Sequence, residues 1–256
     1  MELSYIYEGT GDALLLLHGY PFDHSMWEGQ IESLSDSYRV VAPDLRGFGK
    51  TPLEAEEPSI DRYADDVAEL LDRLKIPHAV VAGMSMGGYV ALSFAARHSA
   101  RLAGLGLIDT QPGADTEEAR AGRRKMIERV RAEGTAVAAE AMIPRLFAAA
   151  NAKEESFAKF PRAGAAAAGV EGISWALEAM ARRPDRTELL ATIRVPSLVL
   201  VGVEDVITPP EKARAMKELL PDAVLVEIPG AGHATPIESP QAVADALRDL
   251  LGRSFC

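Results

Sequence analysis

Cysteine is all but missing: the chain of 256 residues holds one, Cys256, at its last position. That excludes an intrachain disulfide and a cysteine-based metal site, and leaves only a terminal thiol, expected to be exposed. Long apolar runs are missing too. The run Ala13–Leu17 is far shorter than the roughly 18 apolar residues of a membrane span, and nothing elsewhere approaches that length. The opening stretch MELSYIYEGTGDALLLLHGY carries no Lys or Arg to begin a signal peptide. A cytoplasmic protein with no membrane partner is the expectation. Basic excess is also absent: 27 Lys and Arg stand against 38 Asp and Glu, a net charge of −11, so a nucleic-acid partner is not expected. No internal repeat or low-complexity linker interrupts the chain.

What is present is ordinary in bulk and patterned in detail. Hydrophobic residues at 48% and charged residues at 25% suit a globular protein, and 256 residues suit one large domain or one domain with an inserted piece. Short apolar runs read as strands over Ser4–Glu8, Ala13–His18, Arg39–Pro43, His78–Gly83, Leu102–Asp109, Pro196–Gly202 and Ala223–Ile228. Helical patterns occupy His24–Ser35, Ile60–Leu74, Met86–Arg97, Pro209–Leu220 and Pro240–Gly252. Runs such as ALLLL, AVVAG and SLVLVG are apolar on both parities, as befits strands covered on both faces. Alternating strands and helices predict a mostly parallel sheet with helices on both faces. The first two strands leave no room for a helix, so an antiparallel hairpin is expected at that edge. From 111 to 190 no strand is legible, only Ala-, Glu- and Arg-rich helical sequence punctuated by Gly134, Pro144, Pro161 and Pro184. Residues 111–190 are therefore expected to form a helical lid, with 1–110 and 191–256 forming the core.

The chemistry centres on Gly83-Met84-Ser85-Met86-Gly87-Gly88, placed between a predicted strand and a predicted helix. A serine hydroxyl becomes a nucleophile near neutral pH when a base lies within hydrogen-bond reach, a carboxylate orients that base, and donors await the oxyanion. Such groups collect at the carboxyl ends of strands in an open sheet. Of five histidines, His24, His78 and His98 lie at element ends and His18 braces a turn. His233 differs, because IPGAGHATPIESP is a small-residue loop after the last strand, with Gly230 and Gly232 leaving the imidazole room to reach across. Two carboxylates compete as orienter: Asp205 in GVEDVITPP and Asp109 in LGLIDTQPG, the second of which also suits the turn into the lid. The N–H groups of Met86 and of Tyr20, in LLLLHGYP, are the oxyanion donors available; Pro21 has no N–H.

His18-Gly19-Tyr20-Pro21, Asp44-Leu45-Arg46-Gly47-Phe48-Gly49, the Ser85 motif, Gly202-x-x-Asp205 and Gly232-His233 occur in an order that resembles the α/β-hydrolase superfamily along the whole chain. More narrowly, HGYPFDHSMW, PDLRGFGKT and GMSMGGYVALSFAARH look like bacterial carboxylesterases close to 3-oxoadipate enol-lactonases, as do EARAGRRKMIERVRAEG and MARRPDRTELL in the insertion. The resemblance implies an α/β-hydrolase fold with a helical lid inserted after the sixth strand. It implies a serine hydrolase without cofactor or metal that cleaves short-chain carboxylic esters through an acyl-enzyme. The nucleophile maps to Ser85, the acid to Asp205, the base to His233 and the oxyanion N–H groups to Tyr20 and Met86. Family order, Ser then Asp then His, favours Asp205 over Asp109.

Two branches of that superfamily, haloalkane dehalogenases and epoxide hydrolases, use Asp where this chain has Ser85. Enol-lactonases hold a substrate carboxylate, for which Arg145 and Arg162 are the candidates. A lactone hydrolase, a perhydrolase and a slow-turnover small-molecule receptor remain the alternatives. Asp44 and Arg46 read as a fold-building turn. Met142, Ile143, Phe147 and Trp175 from the insertion, with Trp27, are the predicted substrate-pocket residues above a floor of Tyr20 and Met86. The expected partner is a small ester, and the expected assembly a monomer or small homo-oligomer.

Overall fold

A computed structural model describes residues 1–255, so Cys256 lies outside the described residues. Seven strands form one sheet: β1 (Tyr5–Glu8), β2 (Ala13–Leu17), β3 (Arg39–Pro43), β4 (Ala79–Met84), β5 (Leu102–Ile108), β6 (Ser197–Gly202) and β7 (Ala223–Ile228). Their spatial order is β1-β3-β2-β4-β5-β6-β7, and only β1 runs antiparallel.

The expected hairpin between the first two strands does not form; β1 pairs with β3 instead. Each strand explains its own place. All five residues of β2 are apolar and buried, so it needs covered faces and a neighbour on each side, which β3 and β4 supply. β1 is largely exposed and takes the edge. The link between them crosses the start of β3 at Gly9, whose φ is 75° and where a Cβ would stand 2.1 Å from the Tyr38 carbonyl oxygen.

Side chains alternate along each strand and divide into two cores. Leu15, Leu17, Val81, Leu107 and Val199 face α2 (Ile60–Arg73) and α3 (Met86–Arg97). Leu14, Leu16, Val80, Ile108 and Leu200 face α1 (Glu28–Leu34) and the C-terminal helix Pro240–Ser254. Helices therefore cover both faces, as a parallel sheet requires.

The helical insertion follows the fifth strand in chain order, not the sixth: β5 ends at Ile108 and the chain forms only helices and loops before β6 begins at Ser197. It comprises α4 (Glu117–Glu133), α5 (Ala136–Leu146), α6 (Glu155–Arg182) and α7 (Thr187–Leu190). Gly134, at φ 88°, ends α4, whereas Pro144 and Pro161 lie inside α5 and α6. The break within α6 is at Gly169, whose φ of 64° interrupts the helical backbone. After β6 come α8 (Pro210–Leu219), β7, α9 (Thr235–Glu238) and α10 (Pro240–Ser254). Among the described residues no helix is long and apolar enough to cross a membrane.

Candidate active site

Ser85 occupies the turn between β4 and α3 at φ 52°, ψ −111°, a conformation that a non-glycine residue holds only under constraint. The constraints are visible. Its N–H donates to the Ile108 carbonyl at 2.9 Å, and its own carbonyl accepts from the Thr110 hydroxyl at 2.8 Å. Tight packing leaves no room for side chains beside it: a Cβ on Gly83 would lie 2.1 Å from the Gly87 oxygen, and one on Gly87 2.1 Å from the Leu17 oxygen. Chain curvature of this kind presents the serine side chain at the carboxyl edge of the sheet.

His233 and Asp205 arrive from the loops after β7 and β6. Nε2 of His233 stands 2.9 Å from Ser85 Oγ, and Nδ1 stands 2.8 Å from Asp205 Oδ2. Oδ1 of Asp205 accepts from the N–H groups of Ile207 and Thr208, and Oδ2 from the Thr208 hydroxyl at 2.7 Å. Burial works against the Asp205 charge, but His233 and these donors together hold the carboxyl below its usual range. With Asp205 ionised, Nδ1 carries the imidazole proton and Nε2 is left to accept from the Ser85 hydroxyl. Glu238 braces the His233 loop from the other side, accepting from Gly232 N–H at 2.7 Å and from Ala148 N–H at 2.8 Å.

Met86 begins α3, so its N–H has no intrahelical partner. Gly19 brings the neighbouring loop against the serine; a Cβ there would lie 3.4 Å from Ser85 Cβ, and Tyr20 follows directly. Met86, next in chain to Ser85, and Tyr20, next in chain to Gly19, are the residues predicted as backbone donors. The Tyr20 hydroxyl is buried without a hydrogen-bond partner, and burial raises its pKa. His18 donates from Nδ1 to Gly19 O and accepts at Nε2 from Leu45 N–H, which fits its reading as a turn brace.

A cavity of about 440 Å³ opens over Ser85. Of the predicted pocket residues, Met142 lines it, together with Tyr20. Trp27, Ile143, Phe147 and Trp175 do not, and neither does Met86, which was predicted with Tyr20 for the floor. Trp27 is fully buried in the core beside α1, with the neighbouring Met26 and Phe22. Phe147 stacks on Phe157 at 5.6 Å. Trp175 turns its indole away, donating to Glu56 O at 3.0 Å and meeting the edge of Tyr63 at 4.8 Å. Ile143 follows Met142 by about 100° around α5 and is buried away from the cavity.

Met142 and Arg145 were expected here; the other wall residues of the insertion were not. Ala119, Gly122, Arg123 and Met126 on α4, Ala138, Met142 and Arg145 on α5, and Leu177 and Met180 on α6 line the walls. Their spacings of three, four and seven carry an amphipathic signal that was available in the sequence. Arg145 reaches the cavity, whereas Arg162 is engaged on the surface by Glu140 and Glu155. Arg123 pairs with Asp115, which also accepts from Arg183; the Arg183 guanidinium lies 4.1 Å from the Tyr89 ring centroid.

Arg46 is fully buried and bidentate to Asp66, at 2.8 Å through each contact. Asp44 accepts from His24 and Lys50 N–H, so this motif builds the turn rather than the site. Asp23, His24 and Asp44 bring ligand-type atoms within 4.8 Å of one another, but Asp23 and Asp44 are engaged in turn-forming bonds. Asp109 does not serve the insertion either. Its carboxylate accepts from Gly202 N–H at the end of β6 and from Thr235, two residues beyond His233.

The profile of the alpha/beta hydrolase fold family matches residues 12–240. A thermophilic esterase from Thermogutta terrifontis, solved with malate bound, superposes with a TM-score of 0.95 at 42% identity, covering 99% of this chain and 94% of that one. The enol-lactonase from Burkholderia xenovorans LB400 superposes at 0.88 and 30% identity, over 98% and 96% of the two chains. 3-Oxoadipate enol-lactonase 1 of Acinetobacter baylyi is 29% identical over 230 residues, or 90% of this chain and 84% of that protein.

Proposed function

The chain belongs to the α/β-hydrolase fold family, and from that premise we propose that it is a serine carboxylesterase acting on short-chain esters. One observation carries this reading: the unbroken hydrogen-bonded line from Asp205 through His233 to Ser85, at 2.8 and 2.9 Å. Similarity to an esterase and to enol-lactonases supports hydrolysis of a carboxylic ester bond.

In this mechanism Nε2 of His233 takes the Ser85 proton as Oγ attacks the ester carbonyl carbon. Asp205 stabilises the imidazolium formed, while the N–H groups of Met86 and Tyr20 receive the oxyanion. Collapse of the tetrahedral intermediate breaks the bond to the alkoxy oxygen, which leaves with the proton from His233. Water then gives a proton to His233 as its oxygen attacks the acyl carbon, and the acid departs as Ser85 recovers its hydrogen. The helical insertion acts as a lid, its α4 and α5 side chains roofing the cavity and limiting water around the acyl group.

A second reading, hydrolysis of a carboxylate-bearing enol-lactone, is favoured by Arg123 and Arg145 on the cavity wall. Turnover of p-nitrophenyl acetate and butyrate, set beside an enol-lactone carrying a free carboxylate, separates the two. In either case Ser85→Ala is expected to lower kcat by about 10⁴-fold or more with the melting temperature kept. Retained activity in that variant overturns both.

A further inference from the structure

Asp109 is an acid in a costly place. Its side chain has no exposure, it directly follows β5, and its φ is +44°. Among the described residues no ion pair involves it, and Asp205 lies close enough that burial and like charge together push its carboxyl well above the usual range. A neutral or smaller residue would avoid that cost.

Its contacts indicate what the carboxylate does there. Oδ1 accepts from Gly202 N–H at 3.0 Å, at the end of the strand that leads to Asp205. Oδ2 accepts from the N–H and the hydroxyl of Thr235, at 3.2 and 2.5 Å, two residues beyond His233. The two loops meet at the same point: a Cβ on Gly202 would stand 2.0 Å from the Gly232 oxygen, and Glu204 N–H donates to Ala231 O at 2.9 Å. Glu238 holds Gly232 on the near side of the base. Asp109 holds Thr235 on the far side. Asp205, Ser85 and Thr208 touch the imidazole itself.

We propose that Asp109 is a positioning residue for the base: one carboxylate fastens the His233 loop, through Thr235, to the strand end that supplies Asp205, and so keeps Nε2 in line with Ser85 Oγ. The inference rests on the reading of Ser85, His233 and Asp205 as the reacting set. A displaced imidazole weakens proton transfer without changing the acyl pocket, so the loss falls on kcat and not on KM.

The test uses the whole chain with p-nitrophenyl butyrate, and labelling of Ser85 by a fluorophosphonate as a second measure of serine activation. Asp109→Ala is expected to lower kcat and labelling rate by about tenfold or more, with KM within about twofold. Thr235→Val keeps the shape and the N–H but removes the hydroxyl contact, and is expected to lower kcat about threefold or more. Thr235→Ser restores the wild-type rate, and adding Thr235→Val to Asp109→Ala costs nothing further, because both remove one tie. Should Asp109→Ala fail to fold, the Val and Ser pair at Thr235 decides alone. The inference is overturned if the variants that fold keep kcat within about twofold of wild type. A loss confined to KM, or Thr235→Ser as slow as Thr235→Val at equal melting temperature, overturns it as well. A wild-type chain that neither turns over ester nor takes the label removes the underlying reading, and the inference falls with it.

Discussion

At the scale of single residues, the site depends on which carboxylate faces the imidazole. Asp205 does so with three donors of its own, from Ile207 and Thr208, that keep it ionised and aimed. Asp109 bonds the chain beside His233 and not the ring. Asp205→Asn is therefore expected to cost about 10³–10⁴-fold in kcat, since the amide steers the imidazole to the wrong tautomer. No Asp109 variant should approach that loss. Kinetics of the two asparagine variants side by side check this; a larger loss at Asp109 would reverse the assignment. Because Asp205 is held below the ordinary carboxylate range, its protonation is not expected to limit activity on mild acidification. Ser85 and His233 were readable from local chemistry, each in a small-residue turn after an apolar run, whereas local chemistry left Asp205 and Asp109 both open and only the family order favoured Asp205. Trp27 and Trp175 were misread because a large aromatic in sequence suggests a pocket wall as readily as a core anchor.

At the scale of elements, the turn from β4 into α3 works because glycines let backbone meet backbone. A methyl on Gly87 would collide with the Leu17 carbonyl 2.1 Å away, and neither partner is a flexible side chain. Gly87→Ala is expected to destabilise by about 3 kcal/mol and to lower the melting temperature by roughly 2–4 °C per kcal/mol. A thermal melt measures it; an unchanged transition would mean that α3 shifts freely against β2. The insertion helices show the opposite limit. Their apolar spacing is visible in the sequence, yet Met142 faces the cavity while its neighbour Ile143 does not. Periodicity defines a face, but the angle at which the helix lies over the sheet decides what that face meets.

At the scale of the whole molecule, Asp115 joins the two ends of the insertion to its first long helix. It accepts from Arg123 on α4 and from Arg183 just after α6, and Arg183 also donates to Gly113 O at 3.0 Å. Burial alone would raise the Asp115 carboxyl, but the hydrogen bond from Arg123 and the charges of both arginines bring it below the usual range. A carboxylate depressed in the folded state contributes stability that is complete above its unfolded pKa, about 3.9, and disappears as pH falls through the folded value. Asp115→Asn is expected to lose about 3 kcal/mol at neutral pH, because two arginines are left beside a neutral amide. The gap between wild type and variant should begin to narrow below about pH 4. Melting curves from pH 3 to 7 test this, and a gap that stays constant with pH would exclude the ion pairs as its source.

What the sequence by itself determined is whatever the chain expresses over a few neighbouring residues. It marked strands apolar on both parities, the glycine-flanked turn at Ser85, the small-residue loop that frees His233 and the helical character of 111–190. The tertiary structure alone decided that β1 crosses to β3, that Asp109 bonds the chain beyond His233, and that Arg123 walls the cavity while Phe147 packs elsewhere. Those outcomes turn on distances between segments tens to hundreds of residues apart. Such distances are set by strand order and helix packing angles, which a local pattern of side chains does not encode.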